Sequence, residues 1–165
     1  NGAELVIQAQ LHQGARCIFH AMDEGDVIRI MQHPQTMIAS DGRLTQFEKG
    51  HPHPRVYGTF PRVLGYFSRD KKALPLTTAI HKMTGLPATC MGLVDRGFIK
   101  ENYFADITIF DPEVIKDKAT FEQPHQYPEG IHFVLVNGAV VVEDNQYHDV
   151  RAGKVLRKQN RTNGK

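Results

Sequence analysis

An α/β fold is predicted by three features of this 165-residue sequence. Helical patterns alternate with short apolar runs over the first forty or so residues. One of those runs, "TMIAS" at 36–40, has hardly a polar side chain in it, as befits a parallel strand covered on both faces. After about residue 93 the texture becomes β-rich, with alternating strands and hairpin signals.

Leu5, Val6, Ala9 and Leu11 recur at roughly helical spacing and Gly14 closes the segment, which predicts a helix over 3–13. "RCIFH" at 16–20 reads as a β-run. Asp23 stands as N-cap to "EGDVIRIMQH", where Val27, Ile30 and Met31 form one apolar face, and Pro34 ends that helix. The "TMIAS" strand then delivers Asp41, with Gly42 directly behind it. From 42 to 60 the chain reads as one irregular loop, dense in Gly, Pro and His, and a loop of that length is usually functional. Two helices follow: "PRVLGYFSRD", with Pro61 at its first position, and "PLTTAIHKMTG", opened by Pro75 and stopped by Gly85. In the β-rich half "FADITIFD" alternates as a strand. "HFVLVNGAVVVEDNQY" predicts two strands around an Asn137-Gly138 turn, "QPHQYPEG" a loop, and "GKVLR" a final short strand.

The 20 basic and 18 acidic side chains leave a formal +2 and are interleaved along the chain. Such a distribution gives no electrostatic footprint for nucleic acid or an anionic membrane. No apolar run approaches the ~20 residues of a membrane span. Cys17 and Cys90 each lie in an apolar pattern, predicting two buried free thiols and a reducing, cytoplasmic location. The first residues start in mid-pattern, without an initiator Met or a signal-like segment, so the expectation is a piece of a longer protein. Residues 158–165 read as a flexible, locally basic tail.

Asp41 is the first candidate for chemistry, since parallel α/β architectures place reacting groups at the carboxyl ends of strands. The competing reading is a simple Asp-Gly turn. The long His-rich loop over the same strand end favours chemistry. His51 and His53, in "HPHP", sit two apart in extended chain, yet no cysteine or carboxylate cluster nearby completes a metal shell, so they read as loop structure. Arg55, Tyr57 and Arg62 flank the loop and suit an anionic substrate, with surface ion pairs as the alternative. His12, His33, His81, His125, His132 and His148 read as solvent-facing or structural. GxSxG, P-loop, GxGxxG, HExxH and EF-hand patterns are all missing, which removes support for nucleotide cofactors and a Ser-His-Asp triad.

Nearly end to end, the sequence resembles the C-terminal part of the N-acyl-D-amino-acid deacylases (D-aminoacylases) of the amidohydrolase superfamily. The landmarks are "MDEGDVIRIMQHPQTMIASDG", "HPRVYGTFPRVLGYFSRD", "LTTAIHKMTGLPA", "GLVDRGFIKENYFADITIFDP", "ATFEQP", "PEGIHFVLVNG" and "AGKVLR". The combination of "SDG" with "HPRVYGTFPR" is specific to the deacylases, while "FADITIFDP" and "VLVNG" are common to the wider superfamily.

This resemblance implies that residues 1–92 are the end of a (β/α)8 barrel, with "RCIFH" and "TMIAS" as its last two strands. It implies that 93–157 are the C-terminal strands of a small β-sandwich. Asp41 then matches an aspartate that stands at the zinc site and serves as general base, and Arg55 an arginine that holds the substrate α-carboxylate. Zinc brings the pKa of bound water toward ~7, and one carboxylate within reach can take a proton from water and pass it to the leaving amine. Most zinc ligands of the family would lie upstream of Asn1, in the same chain or in a partner that completes the barrel. The implied substrate is a small N-acyl-D-amino acid. Two alternatives stay open: a cyclic-amide hydrolase of dihydroorotase or hydantoinase type, and a non-catalytic fragment that needs an N-terminal partner.

Overall fold

In the computed structural model, residues 1–12, 14 and 21–157 are described. Helix α1 (Gly2–Leu11) starts at a capping box, in which the Asn1 side chain accepts from the Glu4 N–H and the Glu4 carboxylate reaches back to the N-terminus. Gly14, at φ 87°, bonds its N–H to the Ala9 carbonyl just past the helix end. Leu5, Val6, Ile7 and Leu11 of α1 are all more than half exposed.

Helix α2 (Glu24–Gln32) begins, as its sequence predicts, on Asp23, whose side chain accepts from the Asp26 N–H at 3.1 Å. Glu24 in its first turn accepts a 2.6 Å hydrogen bond from the Tyr66 hydroxyl, and that bond, with Lys71 beside it, holds the Glu24 carboxyl below its ordinary pKa.

Helix α3 (Arg55–Arg62) runs directly into a π-helix (Val63–Asp70), then come α4 (Leu76–Met83) and α5 (Gly85–Met91). A meander β1 (Ile107–Phe110), β2 (Ile131–Val136), β3 (Ala139–Glu143) and β4 (Gln146–Tyr147) forms one four-stranded antiparallel sheet. The core joins the two halves. Met31, Val63, Leu64, Phe67, Leu74, Ala79 and Ile115 cluster together, and Phe110 and Ile131 of the sheet pack against them. The π-helix touches the 115–117 segment so closely that a Cβ on Gly65 would meet the Ile115 carbonyl oxygen at 2.3 Å, so only glycine fits there.

Several sequence expectations need correction. "TMIAS" forms no strand among the described residues: no ladder partner for it lies there, and its Ile38 N–H bonds to the Lys82 carbonyl of α4 at 3.0 Å. An apolar run becomes a strand only where a neighbour takes its backbone bonds. The "RCIFH" run and the 158–165 tail lie outside the described residues. The irregular loop ends at Pro54, not at residue 60, because Arg55–Phe60 are helical. Pro61 sits inside continuous helix instead of opening one. It has no N–H to give, and the switch to π geometry follows within two residues.

Pro75 does open α4, but Thr84 (φ −131°, ψ −83°) ends it, and Gly85 starts α5. Cys90, near the end of the short α5 whose buried residues are Gly85 and Ala88, is exposed and not buried as its pattern predicted. "GKVLR" is irregular and exposed, with Val155 unpacked, so burial gives it nothing to pair for. The hairpin prediction holds: Asn137 and Gly138 take φ 50° and 86° between β2 and β3. A second turn of the same kind, Asp144-Asn145 at φ 41° and 66°, adds β4.

Candidate active site

Asp41 occupies the left-handed region at φ 46°, a conformation that aspartate tolerates better than most residues. The turn is completed by the Gly42 N–H, which donates to Ser40 Oγ at 3.2 Å. It carries Gly42 against α3, where a Cβ would lie 3.2 Å from the Val56 Cα. A larger residue there would push the first turn of α3 away. The "SDG" turn and the start of "RVYGTFPR" thus fold against each other, and this contact brings the two predicted site residues together. Arg55 Nη2 lies 2.8 Å from Asp41 Oδ2.

Both partners remain accessible, with the Asp41 side chain 86% and the Arg55 side chain 44% exposed. Water screens a pair this exposed, which contributes at most about 1 kcal/mol to stability. The fold therefore does not depend on it, and both charges can be reached by a ligand. Arg55 is the first residue of α3, and its N–H donates to His53 Nδ1 at 3.0 Å, giving the helix the cap that Pro54 cannot supply. Thr59 Oγ1 donates to the Arg55 carbonyl at 2.9 Å. The guanidinium stem is thereby rooted in a fixed turn.

The histidines of the loop make contacts within the loop and across to the 121–125 segment. His51 Nε2 meets the Phe121 carbonyl at 2.6 Å, and the His53 ring stacks edge-on against Phe121. His125, from the opposite loop, holds the far end of the 42–54 segment. Its Nε2 faces the Gly50 carbonyl at 3.0 Å, which can only accept, so Nε2 carries the proton. Nδ1 then accepts from the Glu48 N–H at 3.2 Å and the Tyr57 hydroxyl at 2.9 Å. Phe47 stacks on Tyr127 at 4.9 Å and meets Tyr57 edge-on at 6.2 Å. Burial in this box, and then the neighbouring Tyr127, raises the pKa of Tyr57.

Tyr57 and Arg62 are not brought to Asp41. Tyr57 serves His125, and Arg62 pairs with Asp117 at 3.1 Å while lying over the Tyr66 ring at 4.3 Å. His125 is structural, one of the two readings its sequence offered, whereas the part played by Tyr127 is not legible in "QPHQYPEG" beyond an aromatic ring in a Pro-bounded loop. An apolar concavity of about 810 Å3 opens between α3, α4 and the sheet, lined by Phe60, Leu64, Ile80, Phe98 and Val134 among others. Neither Asp41 nor Arg55 lines it, so it is separate from the candidate site.

Among the described residues no group of three or more His, Cys, Asp or Glu side chains is placed to hold a metal ion. Zinc sites take three or four protein ligands. Asp41 offers one accessible carboxylate, so these residues do not by themselves make a zinc site.

A family model described as "Amidohydrolase family" matches residues 8–142. The chain belongs to the amidohydrolase family. It is 50% identical over 144 residues to a D-aminoacylase of Alcaligenes xylosoxydans xylosoxydans, a match covering 87% of this chain and 29% of the relative. It is 42% identical over 158 residues to an N-acyl-D-glutamate deacylase of the same organism, covering 95% of this chain and 31% of that one.

Among solved structures, a D-aminoacylase described for its binuclear metal centre superposes with a TM-score of 0.78 at 51% identity, over 82% of this chain and 28% of that one. An N-acyl-D-glutamate deacylase from Bordetella bronchiseptica, complexed with zinc and a phosphonate mimic of the tetrahedral intermediate, gives 0.76 at 43% identity, over 83% and 28%. This amidohydrolase chain spans less than a third of the length of the curated relatives it matches. No helix among its described residues is long and apolar enough to cross a membrane.

Proposed function

We propose that this chain is the C-terminal part of a zinc-dependent amidohydrolase that cleaves N-acyl-D-amino acids to a carboxylate and a free D-amino acid. The observation that carries the reading is the Asp41–Arg55 pair, a carboxylate and a guanidinium 2.8 Å apart and both open to a ligand. Relatives at 42% to 50% identity are described as deacylases of D-amino-acid derivatives, whose substrates pair an amide with a carboxylate. The site offers one group for each.

Asp41 is assigned as general base and as one ligand at the metal site. It accepts a proton from the attacking water and returns it to the departing nitrogen, so that the amine leaves neutral. Arg55 is assigned to the α-carboxylate. Asp41 engages one nitrogen, Nη2, of a five-donor fork. A substrate carboxylate that takes over this fork releases the Asp41 oxygen for proton transfer, so binding itself frees the base.

Zinc, when bound, polarises the amide carbonyl and acidifies water. The remaining ligands are assigned to a missing N-terminal barrel segment, in the same chain or a partner. Residues 1–92 are then the end of the (β/α)8 barrel and 93–157 the sandwich portion. A reducing, cytoplasmic setting belongs to the same proposal and rests on the small number of cysteines in the sequence.

A substrate panel on the full-length, zinc-loaded protein tests the reading. N-acetyl-D-amino acids are expected to yield free D-amino acid, with L-antipodes at least about 100-fold slower. Exclusive turnover of dihydroorotate or hydantoins, or turnover of none of these compounds, would overturn it.

A further inference from the structure

Lys82 is the residue whose setting the chemistry above leaves unused. It lies in the last turn of α4 with only 2% of its surface exposed, a rare place for a lysine. Its Nζ donates to the His33 carbonyl at 2.5 Å and to the Thr36 carbonyl at 3.0 Å. Its own backbone carbonyl accepts the Ile38 N–H at 3.0 Å. One residue thus ties the chain down at three points between 33 and 38, just before Asp41.

The segment it holds has little else of its own. Among the described residues, 36–40 form no helix or ladder, and their backbone bonds go to His33 and to Lys82. The His33 carbonyl also accepts the Thr36 N–H at 3.0 Å, so Nζ sits where the end of α2 and the start of the Asp41 segment meet. A cation at a helix C-terminus is favoured by the exposed carbonyls and by the helix dipole. Ile38 packs against the core cluster and so gives the tether an apolar anchor. Among the described residues nothing comparable acts on Asp41 itself, whose ion pair with Arg55 is exposed. The position of the carboxylate is therefore set from behind.

We propose that Lys82 is a positioning residue for Asp41, fixing the 33–38 segment so that the carboxylate stands where it can reach the reacting water. The inference rests on the proposed role of Asp41 as base. A displacement of about 1 Å in such a group can cost up to 10²-fold in rate.

The test uses Lys82→Met and Lys82→Gln in the full-length, zinc-loaded protein, both of which keep the stem's bulk and lose the charge. The expected result is a fall in kcat of at least about tenfold with KM within about twofold. Amide hydrogen exchange from Ile38 to Gly42 is expected to speed up while the β2–β3 hairpin stays unchanged. Adding Lys82→Met to Asp41→Asn is expected to cost less than about twofold more, because the two act through one group. Wild-type kcat in whichever variant folds, or a full additional loss on the Asp41→Asn background, would overturn the proposal. Asp41→Asn alone separates the two readings: if it retains full activity, the assignment of the base is wrong; if it is inactive while Lys82→Met is not, only the positioning role is.

Discussion

Arg55 and Arg96 each meet an aspartate, and the two pairs share little else. Arg96 is buried, its side chain 8% exposed. It contacts Asp106 through Nη1, bonds Asn137 Oδ1 through Nη2 at 2.6 Å, and lies over the Phe104 ring at 4.3 Å. Asp106 in turn accepts the Asn137 N–H at 2.7 Å, and Asn137 Nδ2 reaches the Ala152 carbonyl at 2.6 Å. This network clamps the 93–106 segment onto the β2–β3 turn. Arg55 makes one contact with an aspartate that is nearly all in water. Arg96 is enclosed and bonded several times over, whereas the Asp41–Arg55 pair is left accessible and weakly committed.

The difference can be broken or sharpened by substitution. The largest stability effect is expected from Arg96→Ala, about 2 kcal/mol, since it removes a buried guanidinium together with its bonds to Asp106 and Asn137 and its packing on Phe104. Urea denaturation checks it, and a loss below about 1 kcal/mol would mean the clamp is dispensable. Arg55→Lys is expected to raise KM about tenfold, with stability unchanged, because a point charge replaces a bidentate fork. Steady-state kinetics with an N-acyl-D-amino acid reads it, and a variant that loses only stability would make Arg55 structural.

The smallest effect belongs to the aromatic box that holds the other end of the same loop. Tyr57→Phe removes the hydroxyl from His125 Nδ1 and is expected to cost about 1 kcal/mol at neutral pH. The pKa of Tyr57 is raised above its ordinary 10.0, so its stabilising contribution is whole below pH 10 and is lost as pH climbs past that point. In Tyr57→Phe that alkaline loss should shrink, as thermal melts between pH 8 and 11 would show.

What the sequence made legible follows a physical rule. Asp23 capping α2 and Asn137-Gly138 turning the β2–β3 hairpin depend on bonds closed within a few residues, and both could be read directly. "TMIAS" could not, because an apolar run does not record whether a strand lies beside it, and here its Ile38 N–H goes to a helix. The helix through Pro61 was hidden for a related reason: the Gly and Pro content of "RVYGTFPR" argues for a loop, while Gly58 and Gly65 are there so that the helix can pass close to residues 115–117. Asp41 and Arg55 were legible as a motif, and their contact needed the turn at φ 46°. Lys82 was missed because a lysine three residues after Ala79 looks like a solvated helix face, although Ala79 is the most buried residue of α4.

The central claim is that Asp41 acts on the reaction and not on the fold. The measurement that tests it most directly is kcat for an N-acyl-D-amino acid with full-length Asp41→Asn, read beside its thermal midpoint. An amide in place of the carboxylate keeps the shape and removes the base, so kcat is expected to fall by about 10²–10⁴-fold while the stability moves by less than about 1 kcal/mol. Turnover like that of the wild type, or a loss of activity matched by a loss of folded protein, would contradict the account.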